Sequence, residues 1–203
     1  GWHGQALLPG VVCSNERNVY GREHHGLIVQ MVYVPPGEFL YGESKEKRTI
    51  ANGFYVGRYQ TTWKEYRAFE KATSRTPTAE APRWGERPDH PVVNVSWDDA
   101  SDYCEWAGLV LPREEEWEKA ARGTDGRKYP WGDEEPTADQ CVWNEHPTYG
   151  GKSTAPVGSC PGGASPYGAQ DMAGNVWEWC ADRYTEGSYR VLRGGCWTDS
   201  ASI

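Results

Sequence analysis

Asp171-Met172-Ala173-Gly174-Asn175-Val176-Trp177-Glu178-Trp179 is the stretch on which the reading of this chain turns. A carboxylate opens it, Gly174 and alternating main-chain carbonyls follow, and a second carboxylate closes it seven residues on. Two carboxylates separated by main-chain carbonyls suit a hard cation such as calcium, which gathers several oxygen ligands. The same residues also suit a hydrogen-bonded turn, with Asp171 capping it and Glu178 paired to an arginine, and spacing alone does not choose. The stretch ends a long segment, 124–175, that is dense in Gly, Pro, Asp and Ser and carries islands such as Tyr129-Pro130-Trp131-Gly132-Asp133. A loop of that length in a compact domain is normally functional or pinned by a ligand or ion. Short strands are expected at 175–180 and 189–192, before the turn Gly194-Gly195-Cys196-Trp197.

Upstream, the pattern is helical. Thr62 and Glu65 form a capping box ahead of Trp63, Tyr66 and Phe69, and Ser96 and Asp99 repeat it ahead of Trp97, Ala100, Cys104 and Ala107. Gly108 is placed as a stop. Pro112 opens a third helix through Trp117, Ala120 and Ala121, whose early acids and late Lys119 and Arg122 complement the helix dipole. Earlier still, residues 27–40 read as a strand, a turn at Pro35-Pro36-Gly37 and a second strand, and 54–59 as another strand. Residues 1–27 show no periodicity. The class is α+β, with helices early and a loop-supported sheet late.

Composition narrows the function. The net charge of −8 leaves no basic footprint, so nucleic acid is not an expected partner. No apolar run approaches the roughly 18 residues of a membrane span, so no membrane insertion is expected. Leu, Ile, Val and Phe together number only 28, yet 11 Trp and 12 Tyr supply large apolar faces with polar tips. A disordered chain has few aromatics, so this one folds. Its six cysteines are widely and irregularly spaced with no CxxC pair, which argues against structural zinc and leaves their pairing open.

No enzyme signature stands out. There is no HExxH, GxSxG, P-loop or GxGxxG after a strand. Asp89-His90-Pro91 reads as a turn, and Glu114-Glu115-Glu116 as a solvated first helical turn.

Seven segments, in order, resemble the formylglycine-generating enzyme (sulfatase-modifying factor) domain family. They are the run from Met31 to Phe39, PVVNVSWDDA at 91–100, LPREEEWEKAARG at 111–123, YPWGDE at 129–134, STAPVGS at 153–159, DMAGNVWEW at 171–179 and RVLRGGCW at 190–197. The resemblance implies a C-type-lectin-like fold: two to three helices, a short twisted antiparallel sheet and long ordered loops. It implies an N-terminal extension at 1–26, a domain at 27–203, and a closing Gly-Phe-Arg-like strand expected beyond Ile203. It also implies calcium, held by Asp171, the carbonyls of Gly174 and Val176, and Glu178. A further calcium site would use Asn144, although Tyr149 stands where its acidic partner belongs.

Catalytic members of the family hold copper with two cysteines just after the Gly-Gly turn. Here the first of those positions is Asp199, the second lies beyond Ile203, and Cys196 occupies the family's serine position. A carboxylate does not replace a soft thiolate for Cu(I), so no copper and no catalytic residue are expected. Other members are the variable proteins of diversity-generating retroelements, found in phages, archaeal viruses and prokaryotes, which display changeable residues on this scaffold. By that resemblance the ligand-binding residues are Tyr189, Thr198, Asp199, Ser200, Ala201, Ser202 and Ile203. The implied partner is a protein or cell-surface ligand, met from a virion or cell surface.

Overall fold

The structure, a computed structural model, describes residues 11–13, 19–24, 26–184 and 189–200. The central sheet has four antiparallel strands in the order β1 (Val11–Cys13), β2 (Val19–His24), β3 (Leu27–Val34), β6 (Phe54–Gly57). Strand β3 pairs with β2 from Val19↔Val32 to His24↔Leu27, and with β6 from Met31↔Gly57 to Val34↔Phe54. No element was expected before Leu27, yet β1 and β2 belong to this sheet, so the stretch read as an extension contributes to it. The pairing is local: β2 and β3 are joined through Gly26, whose φ of 76° suits a tight reversal.

The segment 27–40 contains the two expected strands, but they do not pair with each other. After Pro35-Pro36, β4 (Gly37–Tyr41) forms its own hairpin with β5 (Glu46–Ile50), from Gly37↔Ile50 to Tyr41↔Glu46. Lys119 fixes the break, donating from Nζ to the carbonyls of Pro35 at 2.8 Å and Gly37 at 2.9 Å. It therefore turns inward rather than decorating a helix end, and burial lowers its pKa.

Three helices follow: α1 (Trp63–Ala72), α2 (Trp97–Trp106) and α3 (Glu114–Arg122). The first two begin with the capping boxes read from Thr62/Glu65 and Ser96/Asp99. The third is capped by Arg113 with Glu116, one residue beyond Pro112. A third small sheet pairs β7 (Glu178–Arg183) with β8 (Arg190–Arg193). β7 starts later than expected because Asn175 has φ 64° and its N–H bonds back to Val142 O at 2.9 Å, which excludes extended pairing there.

Among the described residues two of three apolar clusters pack the sheets and helices together, and a third, of Val142, Ala155 and Cys160, lies in the long loop. Val32 and Val34 of β3 pack on Trp117, Ala120 and Ala121 of α3, with Met172, Cys180 and Val191. Trp63, Tyr66 and Phe69 of α1 pack on Tyr103 and Ala107 of α2, with Val93 and Val176. Tryptophan indoles tie the loops to this frame: Trp97 donates to Cys180 O at 2.8 Å and Trp179 to Val95 O at 3.1 Å. The polar tip of each ring thus satisfies a carbonyl while its body buries area, which is how a chain poor in Leu and Ile builds a core. Among the described residues no helix is long and apolar enough to cross a membrane.

Candidate functional site

The stretch from Asp171 to Glu178 bends around one side chain. Gln60, just after β6, is 7% exposed. Its Nε2 donates to Asp171 O at 3.1 Å, Gly174 O at 3.4 Å, Val176 O at 3.2 Å and Glu178 Oε1 at 2.9 Å. The four residues named for calcium therefore do converge, and a residue the sequence reading missed sits at their centre.

Local conformation makes the bend. Asp171 and Asn175 adopt φ of 59° and 64°, and Gly174 82°, the left-handed region that Asn, Asp and Gly tolerate best. Asn175 is buried, and its side-chain amide accepts from Ala155 N at 2.9 Å and donates to Ala155 O at 3.3 Å. Val142 and Gly174 form a parallel bridge. This is how the long loop is pinned.

The electrostatics favour positive charge. Burial pushes the Asp171 carboxyl up to about 6, although Gly158 N donates to it at 2.6 Å. Burial likewise pushes Glu178 up to about 7, against hydrogen bonds from Trp117 Nε1 at 2.8 Å and from Gln60. Meanwhile Gln60 Oε1 is buried without a hydrogen-bond partner. Amide oxygen and nitrogen exchange places by a half-turn. Rotated, the amide would turn its oxygen toward the three carbonyls and Glu178, and only a cation admitted between them would satisfy that oxygen; carboxylate, carbonyl and amide oxygens are the donor chemistry that calcium takes. Among the described residues no three His, Cys, Asp or Glu side chains group together, so the cage is mostly main-chain carbonyl.

Asn144 is elsewhere. It is exposed, and its N–H donates to Asp199 O at 2.9 Å, beside the C-terminal turn. Tyr149 packs on His146 with ring centroids 5.2 Å apart. Neither residue joins the Gln60 cage.

The turn after β8 is tightly built. Gly194 and Gly195 have positive φ. Asp199 Oδ2 accepts from Cys196 N at 2.7 Å, and Cys196 Sγ contacts Thr198 Oγ1 at 3.1 Å. Gly151 N donates to Trp197 O at 2.9 Å, and Trp197 packs edge-on against Trp84 with centroids 5.2 Å apart. Thr198 and Ser200 are exposed and Asp199 is half-buried. Tyr189 is 78% exposed, so it is not a core strand aromatic, but it lies at the opposite end of β8. Four strand residues separate it from the Gly-Gly turn, five steps or about 17 Å at 3.3 Å per residue. The residues assigned to ligand binding thus divide between two places. Ala201, Ser202 and Ile203 lie outside the described residues.

The remaining polar candidates are structural. His90 is buried, with Nδ1 2.9 Å from Thr154 Oγ1 and its carbonyl accepting from Trp63 N at 2.9 Å. Burial lowers its pKa below 6.5, with Arg87 adding to the shift and Asp89 and Thr154 opposing it. A depressed histidine binds fewer protons folded than unfolded, so its contribution is complete above about pH 6.5 and lost as pH falls through the lowered folded value. Urea midpoints for the wild type and His90→Gln should therefore converge between pH 7.5 and pH 5; parallel pH profiles would refute this.

With the geometry in place, comparison with known proteins is decisive. The Sulfatase-modifying factor enzyme 1-like domain profile matches residues 16–203. The chain belongs to this family. It is 41% identical over 141 residues to the inactive C-alpha-formylglycine-generating enzyme 2 of Bos taurus, covering 65% of this chain and 46% of that protein. The chain thus spans about half the length of that relative. It is also 34% identical over 217 aligned residues to the formylglycine-generating enzyme of Thermomonospora curvata, covering 75% of this chain and 71% of that one. Among solved structures, PvdO from Pseudomonas aeruginosa superposes with a TM-score of 0.71 at 26% identity, covering 97% of this chain and 89% of that one. Treponema denticola variable protein 1 superposes with a TM-score of 0.67 at 20% identity, covering 89% and 88%, a likeness of fold alone. The sulfatase-modifying-factor-type domain is α+β with a C-type-lectin-like fold, as the sequence motifs implied.

Proposed function

We propose that this sulfatase-modifying-factor-type domain is a non-catalytic binding protein that presents its ligand surface at the turn after β8, on the model of retroelement variable proteins. The carrying observation is Asp199. It stands where the resemblance puts a copper-binding cysteine, and its carboxylate is engaged by Cys196 N at 2.7 Å as a turn brace. On either side Thr198 and Ser200 face solvent. Ala201, Ser202 and Ile203 belong to the same binding segment by sequence, and its partner is a protein or cell-surface ligand. Tyr189, at the far end of β8, would serve only a partner that spans the hairpin.

Sequencing the 3′ end of this gene across one natural population tests the reading. Changes concentrated in codons 198–203, mostly at template adenines, are the expected result. A uniform segment removes diversification. In parallel, Cu(I) titration of the protein should show no stoichiometric binding; one copper per chain would return the domain to the oxidase class.

Calcium is the proposed structural ion, held by Asp171, Gly174, Val176 and Glu178 with Gln60 added. Saturating calcium should raise the melting temperature and chelator should lower it, the change largely vanishing in Gln60→Leu. Identical melts with and without calcium would show that the Gln60 amide fills the cage by itself.

A further inference from the structure

Two buried cysteines, Cys141 and Cys160, come together in the long loop beneath the turn after β8. Residues 137–141 make a single helical turn, with Cys141 N donating to Thr137 O at 3.3 Å and Gln140 N to the same oxygen at 2.9 Å. The stretch 160–163 is laid against that turn. Cys160 Sγ donates to Ala138 O at 3.4 Å, and Gly162 N to Asp139 O at 2.9 Å. Gly163 approaches so closely that a Cβ on it would collide with the Gln140 carbonyl. Cys160 also shares its apolar cluster with Val142. Positions three and four apart on a helical turn lie on one face, so a residue that meets 138 and 142 meets the face that carries 141. Burial pushes the Cys141 thiol up to about 12, with the Cys160 thiol adding to the shift. The other described cysteines sit elsewhere: Cys104 beside the α1–α2 core, Cys180 in the β3–α3 core, and Cys196 against Thr198.

The chain between the two cysteines braces the binding turn. Asn144 N donates to Asp199 O and Gly151 N to Trp197 O, both at 2.9 Å. Tyr149 and Trp197 pack on the cluster of Val142, Ala155 and Cys160. A covalent tie between 141 and 160 would close this brace into a ring and remove conformations open to it when untied.

We infer that Cys141 and Cys160 form a disulfide that stiffens the brace under the binding turn. The reaction is exchange with a small-molecule disulfide such as oxidised glutathione. One cysteine thiolate attacks it, giving a mixed disulfide and one glutathione thiolate; the second cysteine thiolate attacks the protein sulfur of that mixed disulfide and releases the second. Two protein thiols are oxidised, one glutathione disulfide is reduced, and the two protons pass to the departing glutathione thiolates. Both cysteines are thiols in this structure, and Cys160 gives up Ala138 O as its sulfur turns toward Cys141. Burial keeps thiolate scarce, so the exchange belongs to folding rather than to the finished fold. The consequence for ligand binding rests on the function proposed for the turn after β8; the bond itself does not.

The full chain is refolded from urea in a glutathione redox buffer, blocked with N-ethylmaleimide and mapped by tandem mass spectrometry, beside a sample refolded in dithiothreitol. Cys141 should be joined to Cys160 in most molecules, and the oxidised protein should melt roughly 6–12 °C above the reduced one. Hydrogen exchange at the Asn144 and Gly151 amides should slow at least tenfold on oxidation. Cys141→Ala and Cys160→Ala should each abolish both differences, with circular dichroism confirming that the variants are folded. Recovery of both cysteines as maleimide adducts from folded, oxidised protein would overturn the proposal, as would their joining to other cysteines. A mapped bond that leaves exchange at Asn144 and Gly151 unchanged would refute the stiffening. Uniform codons 198–203 would remove diversification and leave the disulfide map untouched, so the two failures are told apart.

Discussion

Glu118→Ala should lower the unfolding free energy by about 3 kcal/mol, the lower end of the range for breaking a buried ion pair. Glu118 is 1% exposed and sits where three parts of the fold meet. It accepts from Gly42 N at 2.6 Å in the β4–β5 turn, from Arg122 Nη1 at 2.6 Å on its own helix, and from Arg193 Nη2 on β8. Removing the carboxylate takes the acceptor from the half-buried Gly42 N–H and from one guanidinium nitrogen each of Arg122 and Arg193, although Arg122 keeps Arg127 O and Gly126 O and Arg193 keeps Glu114. Arg122 and Arg193 keep side-chain exposures of 17% and 29%, and this contact with water holds the cost to the low end. Glu118→Gln retains an acceptor for Gly42 and should lose about half as much. Urea denaturation followed by far-ultraviolet circular dichroism measures both; a loss under about 1 kcal/mol for the alanine variant would show that the helix, hairpin and β8 do not depend on this junction.

Gly174→Ala should be comparably severe, at about 3 kcal/mol, and should abolish any stabilisation by calcium. Gly174 has φ 82°, and an added Cβ would stand 2.3 Å from Val142 O. The left-handed conformation itself costs a non-glycine residue about 1–2 kcal/mol; the rest comes from forcing apart the Val142 bridge, because main chain cannot rotate away as a side chain can. Gly85 is the internal control. It has a similar φ of 81° with nothing within 4 Å of the added atom, so Gly85→Ala should cost only the conformational part. Equal losses at the two positions would mean that the close approach at Val142 relaxes freely.

Some of this site was legible in the chain because its determinants are local. The capping boxes at Thr62/Glu65 and Ser96/Asp99 lie within one helical turn, so they could be read directly and both are formed. A turn capped by Asp171 was one of the two readings the stretch allowed, but Asn175 was read into a strand, and its positive φ places it in the bend instead. Gln60 was not legible. It meets the bend from 111 to 118 residues away, and a polar residue ahead of a helix cap looks like any other until the chain folds back. Lys119 was read correctly as part of a helix end but not as a buried clamp, since nothing local tells which face of α3 meets the Pro35 turn.

The sequence by itself determined the family, the α+β class and where the first two helices begin, because each rests on short-range pattern or on ordered motifs. Tertiary structure alone decided the rest. It brought β1 and β2 into the central sheet, aimed the Gln60 amide into the carbonyl cage, and set Tyr189 and Thr198 at opposite ends of β8. It also gathered Tyr20, Tyr33 and Tyr55 onto one face of the central sheet. Those arrangements depend on register and on packing between distant segments, where a shift of one residue would turn every side chain to the other face.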